Sequence, residues 1–275
     1  MKSMKRRAGS IALALLGCLG AAMPGLRAAE PVRVNGSGSA LDMMKPMLAA
    51  YRKANPDVAV DLGKPLGSSG AMKALLAGAL DFAVTSKPLS PEDAAKGAQQ
   101  RSYGTTPLLI VTGAPVGRND LSSADLVAIY AGTLKAWPNG EPIRVILRPE
   151  GDIDTRILQD LSPAMASAMA AAQKRPGMIV AVTDPESNEA VARTPGSIGA
   201  SGMCGVIGEG ARLNAFTLNG VQPSLKTLGN GSYPLAKAIN FVTTPRTSAA
   251  GRKLLEFIYS PQGRAVAEKA GVLVR

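Results

Sequence analysis

The chain has 275 residues, with 31 Lys and Arg against 20 Asp and Glu, two cysteines, 4% aromatic residues and no histidine. Without histidine there is no Ser-His-Asp or Cys-His nucleophile system and no ordinary zinc site, and neither a metal nor a cofactor is expected. The net charge of +11 is not gathered into Lys/Arg runs interleaved with aromatics, so it favours small anions as partners over nucleic acid.

Residues 1–28 read as a secretory signal peptide. Lys2, Lys5, Arg6 and Arg7 form a basic n-region, residues 11–19 form an apolar stretch too short to span a bilayer, and Leu26-Arg27-Ala28 puts a small residue at the cleavage position. Cleavage removes five basic residues and no acidic one, so the net charge falls from +11 to +6. The mature protein is expected in the periplasm. Leu15-Leu16-Gly17-Cys18 resembles a lipobox, the alternative in which Cys18 carries a lipid anchor. Otherwise Cys204 is the single remaining cysteine. It reads as a small buried residue, and no internal disulfide is expected.

In chain order, residues 32–35 predict a strand. Residues 40–54 predict a helix, with Leu41, Met44, Met47, Leu48 and Tyr51 on one face and Asn55-Pro56 as the stop. A strand over 58–62, a helix over 71–79 and a strand over 82–85 follow. Ser90 then caps a further short helix ahead of Pro91 and Glu92. This βαβαβ order implies a parallel sheet. The apolar run 106–113 predicts a strand crossing between two lobes. A helix over 122–130 and a strand over 143–147 come next, then a helix over 155–172 broken at Pro163. Strand 179–182, helix 188–193 and short strands at 198–200 and 216–218 lead to a strand over 237–243 that returns across the molecule. Helices over 249–259 and 261–270 close the chain. The fold class is α/β, with two lobes of mixed sheet and flanking helices joined by hinge strands. The lobes are 29–105 with 230–275, and 106–229.

Two glycine-serine turns carry the functional signal. Asn35-Gly36-Ser37-Gly38-Ser39 follows the first strand, with Ser39 the expected helix cap; Gly67-Ser68-Ser69-Gly70 follows the second. Each opens a helix, and bare amides with small hydroxyls at a helix N-terminus make an anion cradle. On neighbouring parallel strands the two would face one crevice. Ser86 ends the third strand on the same side. Arg148 directly follows strand 143–147, where a guanidinium can clasp an oxoanion in a bidentate manner. Asp152 and Asp154 come next. They read either as acids suited to a helix start or, facing the crevice, as groups that oppose a fully ionised anion and instead accept a proton from a protonated one or bind a cationic part of the ligand.

Taken together, Leu66-Gly67-Ser68-Ser69-Gly70, the run from Asp81 to Ser90, Leu126-Val127-Ala128-Ile129-Tyr130-Ala131-Gly132, Thr194-Pro195-Gly196-Ser197-Ile198-Gly199 and Tyr233-Pro234-Leu235 resemble the phosphate-binding substrate-binding proteins of bacterial ABC transporters. The resemblance covers nearly all of the mature chain. It implies a monomer that closes on a small anion and then docks on a membrane permease. It also implies ligand contacts from the first turn (Ser37, Ser39), the second (Ser68, Ser69), the end of the third strand (Ser86) and the loop holding Arg148, Asp152, Asp154 and Thr155. Two places depart from the family pattern. Ser86 stands where an aspartate is usual, and Gly151-Asp152-Ile153-Asp154-Thr155 replaces a Gly-Ser-Gly-Thr loop. The departures leave three options open: an acceptor for a protonated phosphate moved to Asp152 or Asp154, a different oxoanion or organic ligand, or a decayed site in a secreted protein with another role, such as sensing. A hydrolase using Ser69 or Ser86 would need Asp152, Asp154 or a lysine as base.

Overall fold

The computed structural model describes residues 30–275. The segment read as a signal peptide, and Cys18 within it, lies outside the described residues. The first elements are β1 (Val32–Gly36), α1 (Gly38–Ala54), β2 (Val60–Asp61), α2 (Gly67–Leu76), β3 (Phe82–Thr85), α3 (Pro91–Ala95) and β4 (Gln99–Thr112). The middle of the chain forms β5 (Asp120–Leu121), α4 (Ser123–Ala131), β6 (Arg144–Leu147), α5 (Ile153–Gln159), α6 (Pro163–Lys174), β7 (Ile179–Val180), α7 (Asp184–Arg193), β8 (Ser197–Gly202) and α8 (Met203–Glu209). The last part forms β9 (Asn214–Ala215), β10 (Thr217–Leu218), α9 (Leu225–Gly229), β11 (Ala236–Thr243), α10 (Ala249–Tyr259), α11 (Pro261–Lys269) and β12 (Leu273–Val274).

The main sheet runs β2-β1-β3-β11-β4-β8-β6-β7. β1 lies parallel to both β2 and β3, so the two glycine-serine turns leave their strands in the same direction. β11 is antiparallel to β3 and to β4, and β8 is parallel to β6. β4 joins the two halves of the sheet. Its residues up to Pro107 pair with β11, and Leu108 to Val111 pair with β8. Each half has its own core. Met43, Met44 and Met47 of α1 pack with Phe82, Phe241 and Leu254 in one. Leu126, Ile129 and Tyr130 of α4 pack with Met165 and Ile198 in the other. At roughly 1.5–3 kcal/mol for each fully buried large apolar side chain, these cores anchor the helix positions firmly.

Most predicted elements are present, with instructive shifts. Gly67-Ser68-Ser69-Gly70 is the first turn of α2 itself, not a loop before it. Gly67 sits at φ +68°, in the left-handed region open to glycine. Ser37, not Ser39, is the residue ahead of α1, and its side chain caps nothing. α7 starts at Asp184 because Thr183 and Glu186 form a capping box there. β4 begins at Gln99, where polar residues pair with β11 along a half-exposed stretch. The break at Pro163 falls as expected, between α5 and α6. The helix α8 was not foreseen. It packs on α1 and buries Cys204 in the first core.

Candidate functional site

The site forms where β1, β3 and β6 end. Asn35, 5% exposed at the end of β1, ties the two turns together. Its Nδ2 donates to the carbonyls of Leu62 (2.7 Å) and Lys64 (2.9 Å), and its Oδ1 accepts from the Leu66 N–H (2.9 Å) and Gly36 N–H (2.8 Å). Three serine hydroxyls then line up behind the turns. Ser37 Oγ and Ser86 Oγ are 3.0 Å apart, and the Ser86 N–H donates to Ser68 Oγ at 3.1 Å.

A cavity of about 220 Å³ lies between these turns and the loop after β6. Of the residues expected at the site, Ser37, Ser68, Ser69, Arg148 and Asp152 border it. Ser86 is buried behind Ser37. Thr155 turns its hydroxyl to the carbonyls of Arg148 (3.3 Å) and Pro149 (3.0 Å), which fixes the loop. Lys87 was missed. Its Nζ donates to Ser69 Oγ at 3.1 Å and, across the cavity mouth, to the Gly151 carbonyl at 2.6 Å.

Arg148 is 5% exposed. Nη1 donates to the Ala181 carbonyl (2.9 Å) and Nη2 to Asp152 (3.0 Å), while Nε is buried with no protein acceptor. Asp152 also caps α5 by accepting from the Asp154 N–H at 2.9 Å, in keeping with its reading as an acid suited to a helix start. Burial opposes the Arg148 charge, but Asp184, Asp152 and Asp154 outweigh it and hold the guanidinium's pKa above its ordinary value.

Two further residues, Asp184 and Lys237, were not anticipated. Asp184 Oδ2 accepts from the Gly38 N–H at 3.1 Å, and Oδ1 accepts from the Ser39 hydroxyl at 2.5 Å and from Lys237 Nζ at 2.6 Å. Ser39, expected to face ligand, is fully buried and bound to this carboxylate instead. Lys237 also lies 2.8 Å from Asp154. Three carboxylates, Asp152, Asp154 and Asp184, thus share two cations. Asp184 has the most donors. Burial alone would raise its pKa, but Lys237, Arg148 and its hydrogen bonds carry it well below the usual carboxylate range. Asp154 has only the ion pair. Burial, with Asp184 and Asp152 nearby, outweighs Lys237 and pushes its pKa up to about 7. Among the described residues no cluster suited to a metal ion occurs, and no helix is long and apolar enough to cross a membrane.

Residues 21–262 match the PBP superfamily domain. The chain belongs to that family. Among its PBP superfamily relatives is the phosphate-binding protein PstS of Borreliella burgdorferi, 24% identical over 251 residues that span 88% of this chain and 89% of the relative. The fold matches a structure described as a phosphate ABC transporter substrate-binding protein with bound phosphate, from Clostridium perfringens. The TM-score is 0.77 at 20% identity, over 90% of this chain and 100% of that one. An ABC-type phosphate transport receptor from Vibrio cholerae matches with a TM-score of 0.63 at 17% identity, over 89% of this chain and 100% of the other. The family resemblance and the mixed α/β fold read from the motifs are therefore both correct. Within this PBP-superfamily frame, Asp184 and Lys237 escaped sequence reading for one reason: their partners lie far away along the chain.

Proposed function

We propose that the mature chain is a periplasmic binding protein, not an enzyme, that takes phosphate or a related oxoanion between two lobes and delivers it to an ABC permease. The lobes in this reading are 29–105 with 230–275, and 106–229, and the chain passes between them within β4 and again between α9 and β11. Ligand would meet Ser37, Ser68 and Ser69 on one side and Arg148 on the other, with Ser86 and Thr155 holding the walls. Export through a signal peptide over residues 1–28 and action as a monomer complete the proposal.

The observation that carries it is Arg148. A buried guanidinium with an unpaired Nε borders a small cavity, facing the first turn of α2, which no side chain caps. A buried donor left without an acceptor costs about 1–3 kcal/mol, and an oxoanion would remove that penalty. Relatives named for phosphate binding point the same way. Calorimetric titration of the mature protein with phosphate tests the proposal. One-to-one binding is expected, weakened about 100-fold or more in Arg148→Ala, in keeping with the loss of charge-assisted bonds worth about 3 kcal/mol. No heat with any oxoanion, and identical behaviour of wild type and variant, would overturn it.

A further inference from the structure

The two glycine-serine turns offer two helix ends to the cleft, and one already holds an anion. At α1, both oxygens of Asp184 are engaged, by the Gly38 amide (3.1 Å) and the Ser39 hydroxyl (2.5 Å), with Lys237 as counter-cation (2.6 Å). The approach depends on glycine at 38: a Cβ there would lie 2.7 Å from Pro185 Cδ and 2.8 Å from Asp184 Cβ. At α2 no side chain caps the helix, and Arg148, which borders the same cavity, has a buried Nε without an acceptor.

We infer that Asp184 is a specificity-determining residue: it fills the α1 anion seat from within the protein, confines a dissolved oxoanion to the α2 seat, and selects one of single charge. The inference rests on the oxoanion reading proposed above. Charge on the cavity wall supports it. Lys87, Arg148 and Lys237 face Asp152 and Asp184 there, and Asp154 pairs with Lys237 from behind at 2.8 Å, so the site has no large positive surplus to offset a second negative charge. Asp154 is packed behind Lys237 and away from the cavity, the Cys204 thiol of α8 is buried and neutral, and α1 brings only Gly38 and Ser39 to Asp184. A singly charged anion adds one negative charge beside Asp152 and Asp184. A dianion would place a second, uncompensated charge near Asp152 and Asp184, where low polarity magnifies repulsion.

Sulfate and perchlorate are both tetrahedral and proton-free at neutral pH, but differ in charge. Each is titrated directly, and in competition with phosphate, into wild type and Asp184→Asn. In wild type perchlorate should bind about tenfold or more tightly than sulfate, a difference of about 1.4 kcal/mol. In Asp184→Asn the order should level or reverse, mainly through a gain for sulfate. Wild type that prefers sulfate overturns the inference, even if the variant does not fold. An unchanged order in folded Asp184→Asn, or in Asp184→Ser, also overturns it. Binding of phosphate with no difference between the two probes removes this inference and leaves the proposed function standing. No binding of any anion removes both.

Discussion

Lys237 shows how much one side chain can hold in place. It is fully buried between Asp154 (2.8 Å) and Asp184 (2.6 Å), so its loss strands two carboxylates away from water. Lys237→Ala should lower unfolding free energy by about 3–5 kcal/mol, read by urea denaturation; a loss under 1 kcal/mol would show that solvent reaches the pair. The same cluster sets a pH dependence. Asp154 titrates at about 7 in the fold, above an unfolded value of about 4, so the folded state binds that proton more tightly. Its contribution to stability is full below about pH 4 and is lost as pH rises through 7. Glu209, pushed up to about 7 mainly by burial and by the Asp42 carboxylate beside it, acts with the same sign. Asp184, with its pKa lowered, contributes above its unfolded value and loses that contribution only in acid. The melting temperature should therefore fall between about pH 5 and pH 8, and Asp154→Asn should flatten the slope by removing one of the two groups. A slope unchanged in Asp154→Asn would refute the assignment. Arg148 was legible in the sequence because a strand end fixes where its side chain goes. Lys237 was hidden inside the apolar run of β11, and the Asp184 contact to Ser39 spans 145 residues.

At the scale of elements, Asn35 decides whether the two turns act together. Four hydrogen bonds join its side chain to the turns at 36 and 62–66. Asn35→Ala leaves the Leu62 and Lys64 carbonyls and two amides in need of new partners. A stability loss of about 2 kcal/mol is expected by denaturation. Phosphate affinity should also weaken as the start of α2 moves relative to β1. Unchanged affinity would mean that α2 is held by its own packing through Ala71 and Leu75. The alternating strands and helices were readable from apolar spacing alone, because each buries one stripe or one face. Boundaries that depend on distant groups were not. α1 starts where Asp184 satisfies its first amide, and α8 runs through two glycines that local propensity disfavours. A Cβ at Gly208 would lie 2.7 Å from the backbone of Asp42, so close packing on α1 overrides that propensity.

At the scale of the whole molecule, contacts bridge the cleft in two distinct ways. Inside, the Asp184–Ser39–Lys237 cluster joins α7 to α1 and β11 in a fully buried setting. At the mouth, Lys87 reaches from the end of β3 to the Gly151 carbonyl at 2.6 Å and to Ser69 at 3.1 Å. The inner contact is part of the folded core, and its removal should register as lost stability. The outer one sits at the solvent edge and contributes little to the fold, since exposed charged contacts are worth about 0–1 kcal/mol. Its consequence is kinetic. If the proposed anion leaves through this mouth, Lys87 has to release Gly151 first. Lys87→Met keeps the length of the side chain and deletes both bonds. Dissociation of phosphate, followed by stopped-flow displacement, should speed up by up to about fivefold, the equivalent of an exposed charged contact of about 1 kcal/mol. Association should change far less, because affinity changes at one interface fall mostly on dissociation. The melting temperature without ligand should stay within about 2 °C of wild type. Equal dissociation rates in the two proteins would mean that the anion leaves by another route.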